Sequence, residues 1–276
     1  MGLSYAATVL GDSPNTAWKL NETSGTFADS TANAQTATGH GTLTRAVSTG
    51  FSGVGNGVSF GGTVNDYIDI PNNALLTPST TLTYECWAFH TSFAGFPTMM
   101  AQGTAVASPD GLALRASNSG VLQIVLPFSG AVQMTGTATL STSTWYYIVV
   151  TCATSNVWTF YINGTQDKQS TLGLSPPTAT SPFDLGVDFN GSRLQPMANG
   201  SALCFCCIYP TALSASQVAA HYAARNTATS TGGTTNSSPP GQAVAALAHE
   251  RNQQRKEQEQ PGHRLRLSDY YRRRHG

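Results

Sequence analysis

Residues 141–166 read STSTWYYIVVTCATSNVWTFYINGTQ, and this stretch decides the fold class. From Trp145 to Cys152 nearly every residue is apolar or aromatic, and many are β-branched, the composition of a short strand buried on both faces. From Trp158 to Ile162 the pattern changes to alternation. Trp158, Phe160 and Ile162 point one way, while Thr159 and Tyr161 point the other, so this strand is expected to keep only one face in the core. Asn163-Gly164 then supplies two residues that tolerate positive φ, the signal for a tight hairpin into a third strand over 165–170. An antiparallel sheet follows.

Working outward, residues 81–90, TLTYECWAFH, form another strand, with Leu82, Tyr84, Cys86 and Ala88 on one face and Glu85, Trp87 and Phe89 on the other. Shorter strands are expected over 58–60, 66–70, 112–115, 121–126, 132–134, 183–187 and 202–209, with Gly, Ser, Asn and Pro between them. Repeated short strands separated by turn signals predict a sandwich or barrel. Residues 1–14 read as a lead-in segment, and 29–57 as loops and edge strands. One helix is expected from about Ala215 to Arg225. Ser214 is its N-cap, Gln217 completes a capping box, and Leu213 can staple onto Val218. His221 falls on the packed face of that helix, as a hydrogen-bonded member rather than a ligand.

Only 10% of the 276 residues are charged, and the zero net charge hides an asymmetry. Residues 1–225 carry six Lys/Arg against ten Asp/Glu, whereas residues 226–276 carry eight against four. A weakly acidic body therefore precedes a basic tail. The composition divides the chain into a domain over 1–225, a Thr/Ser/Gly/Pro linker over 226–241, and a basic segment over 242–276 that includes a short amphipathic helical pattern. Arg264, Arg266, Tyr270, Tyr271, Arg272, Arg273 and Arg274 interleave cations with aromatic rings and are the expected partner-docking residues. Nucleic acid is a weaker expectation for them. The first residues show neither a basic n-region nor a long apolar h-region, and no run is long enough to span a bilayer, so a cytosolically made chain without membrane insertion is expected. Five cysteines, Cys86, Cys152, Cys204, Cys206 and Cys207, cannot all pair within one chain. Buried free thiols are the expectation; a disulfide involving Cys86 or Cys152, and metal or redox chemistry, are the alternatives.

Four stretches, in order, carry a family resemblance. Asn15–Asn33, with Trp18, Leu20, Glu22, Gly25 and Asp29, resembles the opening motif of laminin G-like domains in the concanavalin A-like lectin/glucanase superfamily. Thr81–His90 resembles the family's central Glu-Trp strand, the 145–164 stretch its aromatic hairpin ending in Asn-Gly, and Tyr209–Ala224 its closing Leu-Ser…His-Tyr helix. The resemblance implies an all-β, two-sheet antiparallel jelly-roll sandwich with one C-terminal helix, here followed by the basic tail.

Several chemistries are conceivable on that fold. Gly11-Asp12-Ser13 matches one esterase nucleophile block, but Pro14 follows at once and no Asp-x-x-His completes a triad. Glucanases of this fold carry carboxylates at alternate strand positions. Glu85 is the corresponding residue and has no such companion, so it reads as structural, and no catalytic residue is expected. The resemblance also brings calcium into consideration through Asp29, Asp66, Asp184 or Asp188, with turn capping as the alternative; no cofactor is expected. Phe93, Phe96, Tyr146 and Tyr161 are the aromatic candidates for sugar contact, with core packing as the alternative. The expected function is a non-catalytic virion protein, a phage capsid decoration or minor tail protein, made in the host cytoplasm. Its tail would dock on other virion proteins in an oligomeric assembly, and its sandwich would meet surface glycans. A cellular carbohydrate-binding module or a glycoside hydrolase is the alternative.

Overall fold

The structure, a computed structural model, describes residues 3–227 except 79, 105–108, 127–131, 178 and 190–191. The basic segment and its candidate residues, Arg264, Arg266 and Tyr270 to Arg274, lie outside the described residues. In chain order the elements are α1 (Tyr5–Gly11), β1 (Thr16–Trp18), β2 (Thr38–His40), β3 (Leu43–Ser48), β4 (Asn56–Phe60), β5 (Tyr67–Ile70), β6 (Leu82–Phe89), β7 (Thr98–Thr104), β8 (Pro109–Ala116) and β9 (Val121–Val125). They continue with β10 (Val132–Thr139), β11 (Trp145–Ala153), β12 (Val157–Ile162), β13 (Thr165–Thr171), β14 (Phe183–Leu185), β15 (Asp188–Phe189), β16 (Arg193–Leu194), β17 (Ala202–Tyr209) and α2 (Ala215–Ala223).

Among the described residues the strands form two large antiparallel sheets and a small ribbon. An eight-stranded sheet runs β13-β12-β11-β6-β17-β4-β3, with β1 also paired to β17. A seven-stranded sheet runs β10-β9-β8-β7-β14-β5-β2, and β15 and β16 pair as the separate ribbon. The expected jelly-roll sandwich is present. The 66–70 strand pairs one place from the sheet edge, with β2 alone outside it. β7 breaks simple alternation: a register shift between Thr98 and Met100 turns both Met99 and Met100 into the core.

The main core lies between the sheets. Leu82, Tyr84, Cys86, Ile148, Val150, Trp158 and Phe160 from one sheet meet Ile68, Ile70, Leu112, Leu114, Ile124, Phe183 and Leu185 from the other. The hairpin at Asn163-Gly164 forms as its sequence predicts, with φ of 51° and 80° at the two turn residues.

The outer face of the eight-stranded sheet is also apolar. Trp87, Tyr147, Val149, Tyr161, Phe205, Cys207 and Tyr209 form a second buried cluster with Tyr5 and Val9 of α1 and with Leu213 and Val218 at α2. The Tyr161 side of β12, expected to face solvent, is therefore only 6% exposed. Helix α1 was not expected from the lead-in sequence. Ser4 caps it by accepting the Ala7 amide, and Ser214 with Gln217 forms the anticipated capping box on α2. These two short helices cover aromatic surface that, at about 25 cal/mol per Å2, would cost several kcal/mol if left wet.

Candidate functional site: the outer face of the seven-stranded sheet

With one broad face of the sandwich sealed by helices, the other carries the polar chemistry. Strand alternation puts Ile68 and Ile70 of β5 in the core and therefore Tyr67 and Asp69 outside; likewise Leu112 and Leu114 of β8 point inward and Ala113 and Arg115 outward. Register then assembles an outward row across the sheet: Thr38, Asp69, Asp184, Ala101, Ala113, Val125 and Val132 are successive cross-strand partners. A neighbouring row holds His40 beside Tyr67, and Thr98 beside Arg115 beside Gln123.

The first row joins two carboxylates. Asp69 and Asp184 face each other across β5 and β14. His40 Nε2 lies 2.6 Å from Asp69 Oδ1, with 40% and 24% of the two side chains exposed. Arg193 Nη2 donates to Asp184 Oδ1 at 3.1 Å, and the Asp184 side chain is wholly buried beneath it. Tyr67 is flanked by the stacked His40 ring, 4.5 Å away between centroids, and by the Arg193 guanidinium, 3.6 Å from the ring centre. Burial pushes the Asp184 carboxyl up to about 6, with Asp69 and Asp188 adding to the rise and Arg193 opposing it. Its Oδ2 and the Arg193 Nε find no hydrogen-bond partner among the described residues. Holding such a group costs stability, which is the usual mark of a site kept for function.

The second part of the face centres on Arg115. Its Nε donates to Gln123 Oε1 at 3.1 Å and its Nη1 to Gln195 Oε1 at 2.8 Å, and its guanidinium lies 4.9 Å from the centre of the Phe96 ring. Phe96 is fixed in turn, because the Gly95 and Phe96 amides both donate to Asn118 Oδ1.

The residues singled out from sequence are distributed differently. Glu85 is buried under the helices on the opposite face, where it accepts from Tyr5 and Tyr209 hydroxyls and meets His221 Nδ1 at 3.0 Å. It is a structural carboxylate, as the sequence suggested, and a histidine shares in satisfying it. His221 is buried and hydrogen-bonded, and its Nε2 also reaches Asp12, the residue inside the esterase-like block. Asp29 and Asp66 accept amide and hydroxyl donors, Asp29 from Ala17, Thr31 and Gln35, Asp66 from Thr42 and Thr63. Carboxylates turned toward N–H and O–H donors in this way cap turns and do not fit a calcium ion. Of the aromatic candidates, Phe93 packs in the main core and Tyr161 under the helices. Tyr146 packs against the core while its hydroxyl accepts the Ser141 amide. Only Phe96 borders the polar face. Sequence reading missed Tyr67, Asp69, Arg115 and Arg193 as a group. Their alternation with core residues was visible, but not which strands adjoin.

This geometry, two stacked antiparallel sheets with charged side chains gathered on one outer face, agrees with comparisons to known proteins. A laminin G family profile, described as Concanavalin A-like lectin/glucanases superfamily, matches residues 60–219. The chain belongs to this superfamily. No curated protein sequence matches it. Among solved structures, the binding domain of Paraclostridial Mosquitocidal Protein 1 is similar at a TM-score of 0.59 and 17% identity, over 75% of this chain and 52% of that one. The Botulinum Neurotoxin Type G receptor binding domain gives 0.57 and 12%, over 76% and 51%. Domain 4 of AbnA, an extracellular arabinanase from Geobacillus stearothermophilus solved with arabinotriose, gives 0.57 and 18%, over 76% of this chain and 98% of that one. The chain thus spans about half the length of the toxin binding domains. At these identities the likeness concerns the fold. The described part is a lectin-like jelly roll of the kind found in binding domains.

Proposed function

We propose that this chain is a non-catalytic binding protein that takes surface glycans on the outer face of the seven-stranded sheet. The observation that carries this reading is the contrast between the two broad faces. One is apolar and closed by α1 and α2; the other presents His40, Asp69, Arg193, Arg115, Gln123 and Gln195 around half-buried aromatic rings. Fixed polar groups beside aromatic surface are what sugar recognition requires. The arabinotriose-bound AbnA domain, similar over nearly its whole length, supports a sugar ligand for the same architecture. Titration calorimetry against a panel of oligosaccharides tests it. Binding that Arg193→Ala and Tyr67→Ala abolish, in variants that remain folded, supports the face; binding indifferent to both changes removes it.

The particle on which this domain acts is proposed to be a virion, as a phage capsid decoration or minor tail protein made in the host cytoplasm. All five cysteines are free and buried, which suits folding in a reducing compartment for a domain of otherwise extracellular type. The basic stretch around Arg264, Arg266 and Tyr270 to Arg274 is proposed to dock the acidic body onto neighbouring virion proteins in an oligomeric array. Limited proteolysis of the free protein and of purified particles tests this. Protection beyond residue 226 only in the assembled state supports docking; equal cleavage in both removes it.

Glycoside hydrolysis is the second reading, favoured by one observation: Asp69 and Asp184 adjoin, and Asp184 has the raised pKa of a general acid. Against it, the Asp184 side chain is wholly buried and paired with Arg193. Release of reducing ends from any bound oligosaccharide would establish this reading in place of simple binding.

A further inference from the structure

The two groups that flank Tyr67 come from opposite sides. Strand β5 lies between β14 and β2. From the β2 side the His40 ring stacks on Tyr67, its centroid 4.5 Å away and its plane within 16° of parallel. From the β14 side comes Arg193, anchored on Asp184 of that strand, with its Cζ 3.6 Å from the centre of the Tyr67 ring. Both faces of Tyr67 are thus taken up within the protein, and a ligand cannot stack on either.

His40 ends the stack. It sits on β2, the last strand of its sheet, and Tyr67 is the one aromatic ring it packs on among the described residues. Its side chain keeps 40% of its surface exposed, yet the ring is fixed: cross-strand pairing sets it beside Tyr67, and Nε2 lies 2.6 Å from Asp69 Oδ1. A ring supported on one face and tied along one edge has already lost its rotamer freedom, so a ligand meeting its second face bears little of that ordering cost.

Asp69 completes the corner. His40 uses Oδ1; Oδ2 makes no hydrogen bond among the described residues, and 24% of the side chain is exposed. Thr38, the exposed cross-strand partner of Asp69, adds a hydroxyl beside it. A sugar ring has both complements: C–H groups of slight positive charge for the negative face of an aromatic ring, and hydroxyls for a fixed acceptor. Arg193 is paired with Asp184, so the charge a ligand meets at this corner is the Asp69 carboxylate, which repels an anionic sugar.

We propose that the outward face of His40 is the platform on which a neutral sugar ring stacks, with Asp69 accepting its hydroxyls and Tyr67 acting as a positioning residue behind the platform. The inference rests on the glycan-binding reading above and narrows it to the β2–β5 corner of the face and to neutral sugars.

The test uses the full chain and trisaccharides of glucose, galactose and mannose, each beside its uronic-acid counterpart, in calorimetry and proton NMR. The neutral member of a pair is expected to bind about fivefold more tightly than the acidic one. Its C–H resonances are expected to move upfield on binding, because protons above an aromatic face are shielded. His40→Ala is expected to weaken neutral-sugar binding about tenfold and to abolish the upfield movement. His40→Phe keeps a flat ring without the ring nitrogens, and is expected to stay within about threefold of wild type and to keep the movement. Asp69→Asn, whose amide oxygen can still accept from His40, is expected to bring the neutral-to-acidic ratio toward one. Thermal melting checks that the variants fold. An equal loss in His40→Ala and His40→Phe would show that a ring nitrogen meets the sugar, and overturns the inference. Binding to the wild-type protein without upfield movement overturns it too, and needs no variant to fold. A wild-type ratio at or below one, or a ratio unchanged in Asp69→Asn, overturns the neutral-sugar assignment and leaves glycan binding intact. Failure of all these trisaccharides to bind overturns the glycan reading itself, and this inference with it.

Discussion

The Nδ1 atom of His221 on α2 lies 3.0 Å from the Glu85 carboxylate on β6, and neither side chain reaches solvent. The other ring nitrogen, Nε2, lies 2.9 Å from Asp12 at the end of α1. Both nitrogens thus face groups that only accept, so both must donate, and the ring is an imidazolium. Burial alone would lower its pKa, but Glu85 and Asp12 outweigh burial and raise it above the ordinary histidine value. One cation therefore ties both helices to the sheet.

Removing that cation strands a buried carboxylate. His221→Leu is expected to destabilise the protein by about 3–5 kcal/mol in urea titrations at pH 6. Because the folded-state pKa is raised, this stabilisation is complete below about pH 6.5 and declines as pH rises through the folded value. A wild-type stability that stays flat from pH 6 to 9 would contradict the imidazolium assignment.

His90 gives the opposite slope. It is buried against Phe93, neither ring nitrogen has a partner among the described residues, and burial lowers its pKa to about 4. The unfolded chain takes up a proton below about pH 6.5 while the folded chain resists, so stability is full above that value and falls toward pH 4 by about 3 kcal/mol. His90→Leu should remove this loss, giving a variant whose stability between pH 6.5 and 4 is flatter than that of the wild-type protein. Parallel curves for the two proteins would refute it.

Asp184 should trade stability for binding. Its pKa is raised to about 6 by burial, so the folded state is penalised as pH climbs from about 4 to 6, by up to about 3 kcal/mol at neutral pH. Asp184→Asn is expected to be more stable than wild type at pH 7, with the advantage vanishing near pH 4, and to lose ligand affinity because Arg193 loses its anchor. A variant that is less stable at pH 7 would show that the ion pair outweighs the cost of burial.

Gly164 couples a turn to a helix. Its φ is +80°, and a Cβ placed there would stand 2.9 Å from Tyr222 Cβ on α2. Gly164→Ala should therefore cost more than the roughly 1 kcal/mol of a simple left-handed alanine, and hydrogen exchange should quicken along 215–223 as well as in the hairpin. Faster exchange confined to the hairpin would separate the turn from the helix.

The parts of the fold legible in sequence are those set by neighbours a few residues apart. Trp158, Phe160 and Ile162 alternate because a strand alternates; Asn163-Gly164 turns because both residues tolerate positive φ; Ser214 and Gln217 cap α2 across one helical turn. The misses have equally local causes. α1 is a single seven-residue helix with only Ser4 to announce it, and β7 hides behind a register shift that puts Met99 and Met100 on one side. For the candidate site, Glu85 stands out in the sequence as the lone carboxylate of an apolar strand, yet it serves the helix-covered face.

The sequence by itself determined that this chain is an antiparallel β structure with a capped closing helix, because alternation, turn chemistry and capping act between residues close along the chain. Tertiary structure alone decided which face the helices cover and which charged side chains gather on the other. Asp69 meets Asp184, and Arg115 meets Gln195, only through pairings between strands far apart in sequence. Those pairings are selected by the packing of whole sheets against each other and under the helices, a balance that no local stretch contains.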